Sequence, residues 1–199
     1  QAKGRLDRVP IILTRFRQAV LAAACSGELT KEWRERCRPN RPAVDSAPDT
    51  DEIPDLPELP GSWGLSTLED AVVRFQYGTS EKADSDARSG IPVLRMGNIQ
   101  DGRLDLSDLK YIAKDKADSE CFVRRGDVLF NRTNSPELVG KTAMVDVDQR
   151  MLFASYLIRA QVDPKKVRPV FVSWWLNSAW GRMWARHVRA DGVSQSNIN

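Results

Sequence analysis

Few residues of this chain have the types and spacing that enzymatic chemistry requires. Its 199 residues include one histidine, His187, and three cysteines, Cys25, Cys37 and Cys121, without C-x-x-C spacing. Nucleophilic catalysis needs a base such as histidine beside a serine or cysteine, and zinc sites need clustered cysteines or histidines. The sequence therefore predicts neither a nucleophilic centre nor a metal site.

The segment 135–142, SPELVGKT, ends in the Gly-Lys-Thr that closes many phosphate-binding loops. Such a loop needs its first glycine where Ser135 stands, and a helix after Thr142. Residues 143–147 instead alternate apolar and polar side chains, as a strand does. We therefore expect no ATP site here.

Three polar segments between predicted strands carry side chains that can recognise DNA bases. They span 77–82, 95–98 and 131–135. Arginine offers a bidentate fork to guanine, and asparagine offers one to adenine. The same residue types are common in ordinary turns, so composition alone leaves both interpretations open.

A basic and aromatic stretch follows at 164–190, where no acidic residue occurs. Its cations are Lys165, Lys166, Arg168, Arg182, Arg186 and Arg189, interleaved with Trp174, Trp175, Trp180 and Trp184. We expect the tryptophans to pack in a core. The cations can contact phosphates or form a solvated face, and the sequence does not separate these roles.

The element nearest the N-terminus is predicted to be a helix over residues 6–26, ended by Gly27. Its apolar residues are spaced alternately by three and four, which is typical of a coiled-coil seam that packs on a partner helix. We define the seam as Leu6, Val9, Leu13, Phe16 and Val20. Packing of the same helix on its own domain remains the alternative.

The rest of the chain predicts an acidic linker and a β-rich domain. Residues 38–60 hold six of the eleven prolines, which prevent regular structure. From residue 61 onward, a capping box at 66–69 opens a short helix through Val73, and short strands follow. We expect these strands at 91–96, 103–106, 127–130, 143–147 and 152–162, with turns at 97–98 and 101–102 and a closing helix over 168–189. The predicted class is α+β: a coiled-coil-type helix (1–37), a linker (38–60) and a mostly antiparallel β domain with a closing helix (61–199).

Composition adds weaker constraints. The formal net charge is only +3, which does not by itself demonstrate a nucleic-acid partner. The cysteine pattern and the lack of an apolar run of membrane length favour a cytoplasmic protein with no membrane partner. The chain starts with Gln1, and a final strand begins just before Asn199, so we expect a segment of a longer protein.

Several motifs in a fixed order resemble a known family. Tyr77-Gly78-Thr79-Ser80, the segments 90–102 and 126–135, and Val139-Gly140-Lys141 resemble the target recognition domain of type I restriction-modification specificity subunits. The resemblance covers nearly all of 61–199. Residues 15–24, 27–30 and 33–34 resemble the end of the spacer helix of that family.

The resemblance implies a double-stranded DNA recognition subunit without chemistry of its own. In this family, modification subunits carry S-adenosylmethionine-dependent adenine methylation, and a restriction subunit translocates and cuts DNA. S-adenosylmethionine, ATP and Mg are thus expected only on partner subunits, and no cofactor is expected on this chain. A homodimer through the spacer helix is expected to supply a second helix.

The residues expected to contact bases or phosphates are those of the polar loops and their flanks. They are Thr79, Ser80, Lys82, Arg95, Asn98, Arg132, Asn134, Lys141 and Gln195. Gly97, Gly126 and Gly140 are expected to form turns, and Leu94, Val128, Phe130 and Tyr156 to lie in the core. Two alternatives stay open: the recognition domain of a single-chain methyltransferase or nuclease, and a structural coiled-coil adaptor.

Overall fold

The computed structural model describes residues 8–38, 56–84, 90–192 and 195–198. Leu6 and most of the acidic segment 38–60 lie outside these ranges. The first helix, α1, spans Val9–Cys25, with Pro10 in its first turn. Gly27 follows it in a left-handed conformation at φ 83°, so the predicted helix end is confirmed. A 3₁₀ turn at Glu28–Thr30 leads into α2, Lys31–Cys37.

The next helix, α3, is shorter than predicted and spans Leu68–Ala71. Its capping box lies one residue later than predicted. The hydroxyl of Thr67 accepts from the backbone N–H of Asp70, and the Asp70 carboxylate accepts from the Thr67 N–H. The helix stops at Ala71 because Val72 is already extended and starts the first strand.

The described residues form twelve strands, most of them two to four residues long. They are β1 Val72–Tyr77, β2 Ile91–Leu94, β3 Ile99–Gln100, β4 Arg103–Leu104, β5 Lys110–Ile112, β6 Val128–Asn131, β7 Thr133–Asn134, β8 Thr142–Met144, β9 Leu152–Phe153, β10 Leu157–Val162, β11 Ala190–Asp191 and β12 Ser196–Asn197.

The largest sheet has four strands in the order β1-β10-β6-β8, all antiparallel. A second sheet pairs β5 with β2 antiparallel and β2 with β9 in parallel. A third joins β11, β12 and β7, and β3 with β4 forms a hairpin. The predicted turn of that hairpin is confirmed, since Asp101 and Gly102 both have positive φ.

One predicted strand and one predicted helix are each divided in the structure. The prediction of one strand from Leu152 to Val162 is wrong. Residues 154–156 form a turn that leads the chain from β9, in the sheet of β2, to β10, in the sheet of β1. The prediction of one closing helix over 168–189 is also wrong, because two helices form there. Ser178 is extended and separates α4, Pro169–Asn177, from α5, Ala179–Val188, and its hydroxyl caps α5 at Gly181.

Other strand ends differ from the prediction by a few residues. The strand expected at 91–96 stops at Leu94, because Met96–Asn98 form a 3₁₀ turn. The strands expected at 103–106 and 143–147 are shorter, ending at Leu104 and Met144. The α+β class and the mostly antiparallel pairing are confirmed.

Strand β6 of the four-stranded sheet is buried on both faces. Val128 and Phe130 of β6 point into a cluster with α4 and α5, whereas Leu129 points into a cluster with β2, β5 and β9. Alternate side chains of a strand point to opposite faces, so β6 separates the two cores. This explains why Val128, Leu129 and Phe130 are apolar in succession instead of alternating with polar residues.

Helix α1 touches the domain mainly at its C-terminal end. Cys25 is buried there, in contact with Ser178, and burial raises the pKa of its thiol to about 11. Arg17 reaches Asp101 at 2.8 Å, and Arg34 stacks over Trp63 with 5.6 Å to the ring centroid. The seam residues in the described part, Val9, Leu13, Phe16 and Val20, are 40% to 65% exposed.

No helix in the described ranges is by itself long and apolar enough to cross a bilayer. Val9–Cys25 and Glu28–Cys37 meet the length and hydropathy requirement only when taken together across a 62° bend.

Candidate nucleic-acid interface

The polar loops converge because of the order of the four-stranded sheet. Strand β10 runs between β1 and β6, and its first residues, Leu157 and Ile158, pair with Asn131 and Tyr77. Antiparallel pairing therefore places the ends of β1 and β6 beside the start of β10. We define the loop end as residues 78–82, 132–135, 154–156 and 195, which lie at or beside this margin.

The first loop is fixed by the backbone of the turn between β9 and β10. Thr79 donates its N–H to Phe153 at 2.9 Å, and its carbonyl accepts from Ser155 at 2.9 Å. A Cβ on Gly78 would lie 2.2 Å from the carbonyl oxygen of Phe153, so this approach requires glycine. Thr79 itself is buried, and its hydroxyl accepts the N–H of Glu81.

The next two predicted residues of this loop differ from Thr79. Ser80 and Lys82 are exposed and extend beyond the fixed backbone. The loop thus combines an immobile base with accessible polar side chains, which suits recognition of an external ligand.

The third sheet brings distant residues into the loop end. Asn134 of β7 pairs with Ser196 of β12, and the Thr133 hydroxyl donates to the Asn197 side chain at 2.7 Å. Gln195, which precedes Ser196, is exposed beside Asn134. Two predicted contact residues about 60 positions apart in sequence therefore lie on one hairpin-like surface.

Arg132 lies between β6 and β7 and is held at several points. Its backbone N–H donates to Tyr156 at 3.0 Å, and its Nε donates to the carbonyl of Ile198 at 3.2 Å. Its guanidinium stacks over the ring of Tyr77, 4.8 Å from the centroid. The charge is thus fixed at the loop end by backbone and aromatic contacts.

Asn98, in contrast, points inward. Its side chain is buried, its Oδ1 accepts the N–H of Arg95, and its Nδ2 donates to the carbonyls of Asp105 and Asp108. These bonds tie the 3₁₀ turn at Met96–Asn98 to the segment after β4. The structure therefore places Asn98 in the support of the turn and not on its surface.

Arg95 and Lys141 lie near the loop end but bind neighbouring residues. The carbonyl of Leu94, just before Arg95, accepts a hydrogen bond from the N–H of Ala154. The Arg95 guanidinium forms an ion pair with the Asp108 carboxylate at 3.0 Å. Lys141 immediately precedes β8, and its Nζ donates to the Gln100 side chain at 3.1 Å. Both cations are brought to the margin of the site.

The structure also shows two tyrosines that the sequence did not identify as site residues. Tyr156 was expected in the core, which is wrong, because it lies at the tip of the 154–156 turn and is 46% exposed. Tyr77 is 51% exposed at the end of β1. The alternation of Val73, Phe75 and Tyr77 along β1 could have indicated the exposed ring.

Arg182 of α5 and Arg189, which follows this helix, bind the loop that resembles a phosphate loop. Arg182 donates to the carbonyls of Val139 and Glu137, and Arg189 donates to that of Pro136. Burial lowers the pKa of Arg182. The residues after this loop form β8 and not a helix, as the alternation of residues 143–147 predicted.

The tryptophans of this region divide between core and surface. Trp175 and Trp184 pack against the core with α4 and α5, as predicted, whereas Trp174 is half exposed. His187 is exposed on α5. Among the described residues, no group of three His, Cys, Asp or Glu side chains is arranged to hold a metal ion.

Fold and site together define an α+β domain, with polar loops at one end of its largest sheet and a helix with an exposed apolar seam. In sequence it is 31% identical to the EcoBI specificity subunit of Escherichia coli over 92% of this chain. It is 28% identical to the EcoKI specificity subunit of Escherichia coli K12 over 90% of this chain. The matches cover 37% and 35% of those relatives.

No family model matches the chain. Among solved structures, an HsdS subunit from Thermoanaerobacter tengcongensis aligns with 96% of this chain and 45% of its own, at 14% identity and a TM-score of 0.47. That likeness is too low to support an argument.

The chain belongs to the family of type I restriction enzyme specificity subunits, as the motifs predicted. It spans a little more than a third of the length of the curated relatives it matches.

Asn98 supplies a stability test of the site's support. We expect Asn98→Ala to lower the free energy of unfolding by about 2 kcal/mol, because the buried backbone groups of Arg95, Asp105 and Asp108 lose their partner. Urea denaturation measures the change. As a control, Ser80→Ala at an exposed position is expected to change it by less than about 0.5 kcal/mol. Unchanged stability in Asn98→Ala would refute the supporting role.

Proposed function

We propose that this chain contains a target recognition domain that reads double-stranded DNA for a type I restriction enzyme. The observation that carries the proposal is the convergence of polar loops from three distant parts of the sequence at one end of a rigid sheet. Membership in the specificity subunit family supports it. Recognition by the loop end is the role that the geometry fits best.

The physical basis is a rigid support for short polar side chains. Each loop is tied to neighbouring strands by backbone hydrogen bonds, so little ordering remains to be done on binding. Base edges in the major groove discriminate through paired hydrogen bonds, each good pair contributing about 1–3 kcal/mol. Cations beside the loops hold the duplex in register through its phosphates.

The predicted contact residues divide into two groups by their placement. We assign Ser80, Lys82, Arg132, Asn134 and Gln195 to direct contact, because they lie on the loop end. Arg95 and Lys141 lie at its margin, where they suit phosphates. Thr79 and Asn98 shape the loops from inside, which is a positioning role.

Catalysis is assigned to other subunits. We infer that modification subunits bind S-adenosylmethionine and methylate adenine, and that a restriction subunit uses ATP and Mg to translocate and cut. This chain then needs no cofactor and serves as a non-catalytic subunit. The named relatives are specificity subunits, which favours this role over the recognition domain of a single-chain methyltransferase or nuclease.

We also propose that the seam of α1 pairs with the same seam of a second copy of this chain. Val9, Leu13, Phe16 and Val20 leave a continuous apolar stripe in water, whereas the C-terminal end of α1 is already packed. A stripe with alternating spacing of three and four residues packs best on a helix with the same pattern. The pairing would hold two loop ends at a fixed distance.

DNA binding is tested by removing the charge of one lysine on the loop end and of one lysine outside it. We expect Lys82→Gln to weaken binding to all duplexes and to reduce the slope of log affinity against log salt by about one, because one phosphate contact is lost. Fluorescence anisotropy measures the affinity and its salt dependence, with random-sequence duplexes and with duplexes that carry the sequence motif methylated in the host. The matched control is Lys116→Gln, an exposed lysine in the 3₁₀ turn after β5 and outside the defined loop end. Equal effects of the two substitutions, or equal affinity of the unmodified chain for every duplex, would contradict the proposal.

Helix pairing is tested by charging the seam. We expect the double variant Leu13→Asp and Phe16→Asp to be monomeric, because buried carboxylates would prevent apolar contact. Sedimentation equilibrium over a range of concentrations measures the association constant. Gln18→Asp, on the exposed side of α1 away from the seam, should dimerise like the unmodified chain. If the unmodified chain stays monomeric over the whole range of concentrations, the pairing is refuted.

A further inference from the structure

Two aromatic residues on β1 have the same exposure but different surroundings. Phe75 and Tyr77 are both 51% exposed and lie on the same face of the edge strand. The ring of Tyr77 has the guanidinium of Arg132 over it, 4.8 Å from the centroid. Tyr77 therefore differs from Phe75 in its contact with a cation of the loop end.

Arg132 has an unusually well defined position for a surface arginine. Its backbone is bonded on both sides, by Tyr156 and Ile198, and its Nε donates to the Ile198 carbonyl. The Nε hydrogen bond and the ring of Tyr77 on one side of the guanidinium restrict its rotation. A bidentate hydrogen-bonding group discriminates between bases only when its plane is aligned with the base edge.

We propose that Tyr77 determines sequence specificity as a positioning residue, by holding the guanidinium of Arg132 in the plane that reads a base edge. The inference rests on the DNA recognition proposed above and deepens it. The ring attracts the cation through its π face and limits rotation about the terminal torsions. The guanidinium is then ordered before DNA arrives, so less side-chain entropy is lost on binding.

The charge at position 132 and the orientation of the Arg132 guanidinium can be changed separately. A lysine at position 132 would keep the positive charge but would lack the planar fork and its stacking surface. Loss of the Tyr77 ring would keep the arginine but release its plane. Both changes should therefore reduce discrimination at the same base position while leaving the sequence-independent attraction to phosphates.

The experiment compares four single variants of the full chain, assembled with its modification subunits. They are Tyr77→Leu, Tyr77→Phe, Arg132→Lys and, as the matched control on the same strand face, Phe75→Leu. Selection from a pool of random-sequence duplexes gives the preferred motif of each variant. Titrations with the motif duplex and with the random pool then give the specificity ratio, and thermal unfolding reports stability.

We expect Tyr77→Leu and Arg132→Lys each to lower the specificity ratio about tenfold, with lost preference at one shared base position. Affinity for the random pool should stay within about twofold, since no cation is removed. Tyr77→Phe keeps the ring and should retain the motif and ratio of the unmodified chain. Phe75→Leu should do the same.

Different results would contradict the positioning role of Tyr77 and the proposed recognition of DNA. An unchanged motif in Tyr77→Leu, or loss at different base positions in Tyr77→Leu and Arg132→Lys, would overturn the positioning role. Should Tyr77→Leu unfold, Arg132→Lys decides, because an unchanged motif in that variant overturns the inference equally. Failure of the unmodified complex to select any motif would instead refute the proposed DNA recognition itself.

Discussion

The function proposed for this molecule depends on the pairing of β10 with both β1 and β6. Leu157 and Ile158 begin β10 opposite Asn131 and Tyr77, so one short strand aligns the ends of two others. A shift of one residue in this register would exchange the two faces of the sheet and place Arg132 away from Tyr77. The burial of Val128 and Leu129 in different cores opposes such a shift, because it would place each of these side chains in the core that its neighbour fills.

A second constraint joins the loop end to the helix. The C-terminal end of α1 is buried at Cys25, and Arg17 forms an ion pair with the carboxylate of Asp101 on the β3–β4 hairpin. Arg34 of the following helix, α2, lies over the ring of Trp63. Trp63 in turn meets Phe171 of α4 edge to face, with 6.5 Å between ring centroids. These contacts lie on different elements of the domain, so α1 has a defined direction relative to the sheet. A seam that pairs with another helix would then set the position of the loops as well.

The sequence predicted the elements better than their tertiary arrangement. Heptad spacing identified α1, and turn chemistry identified the hairpin at Asp101 and Gly102, because both depend on local interactions. The breaks at Ser178 and at residues 154–156 were missed, since each occurs where the chain changes packing partner within an apolar run. Local sequence does not specify such a change of partner.

The candidate site shows the same division. Polar loop composition selected Ser80, Lys82, Arg132 and Gln195, which the structure places on the loop end. It also selected Asn98, whose amide is enclosed by backbone groups about ten residues away, and it omitted Tyr156. Burial and exposure of an isolated polar or aromatic residue depend on long-range packing, so composition could not separate these cases.

The central claim is that DNA lies against the loop end, and hydrogen–deuterium exchange of the backbone amides with and without the preferred duplex tests it most directly. The account predicts slower exchange in residues 78–82, 132–135 and 154–156, with no change in residues 114–125, which lie outside the loop end. Slower exchange confined to residues 114–125, with the loop end unchanged, would contradict it.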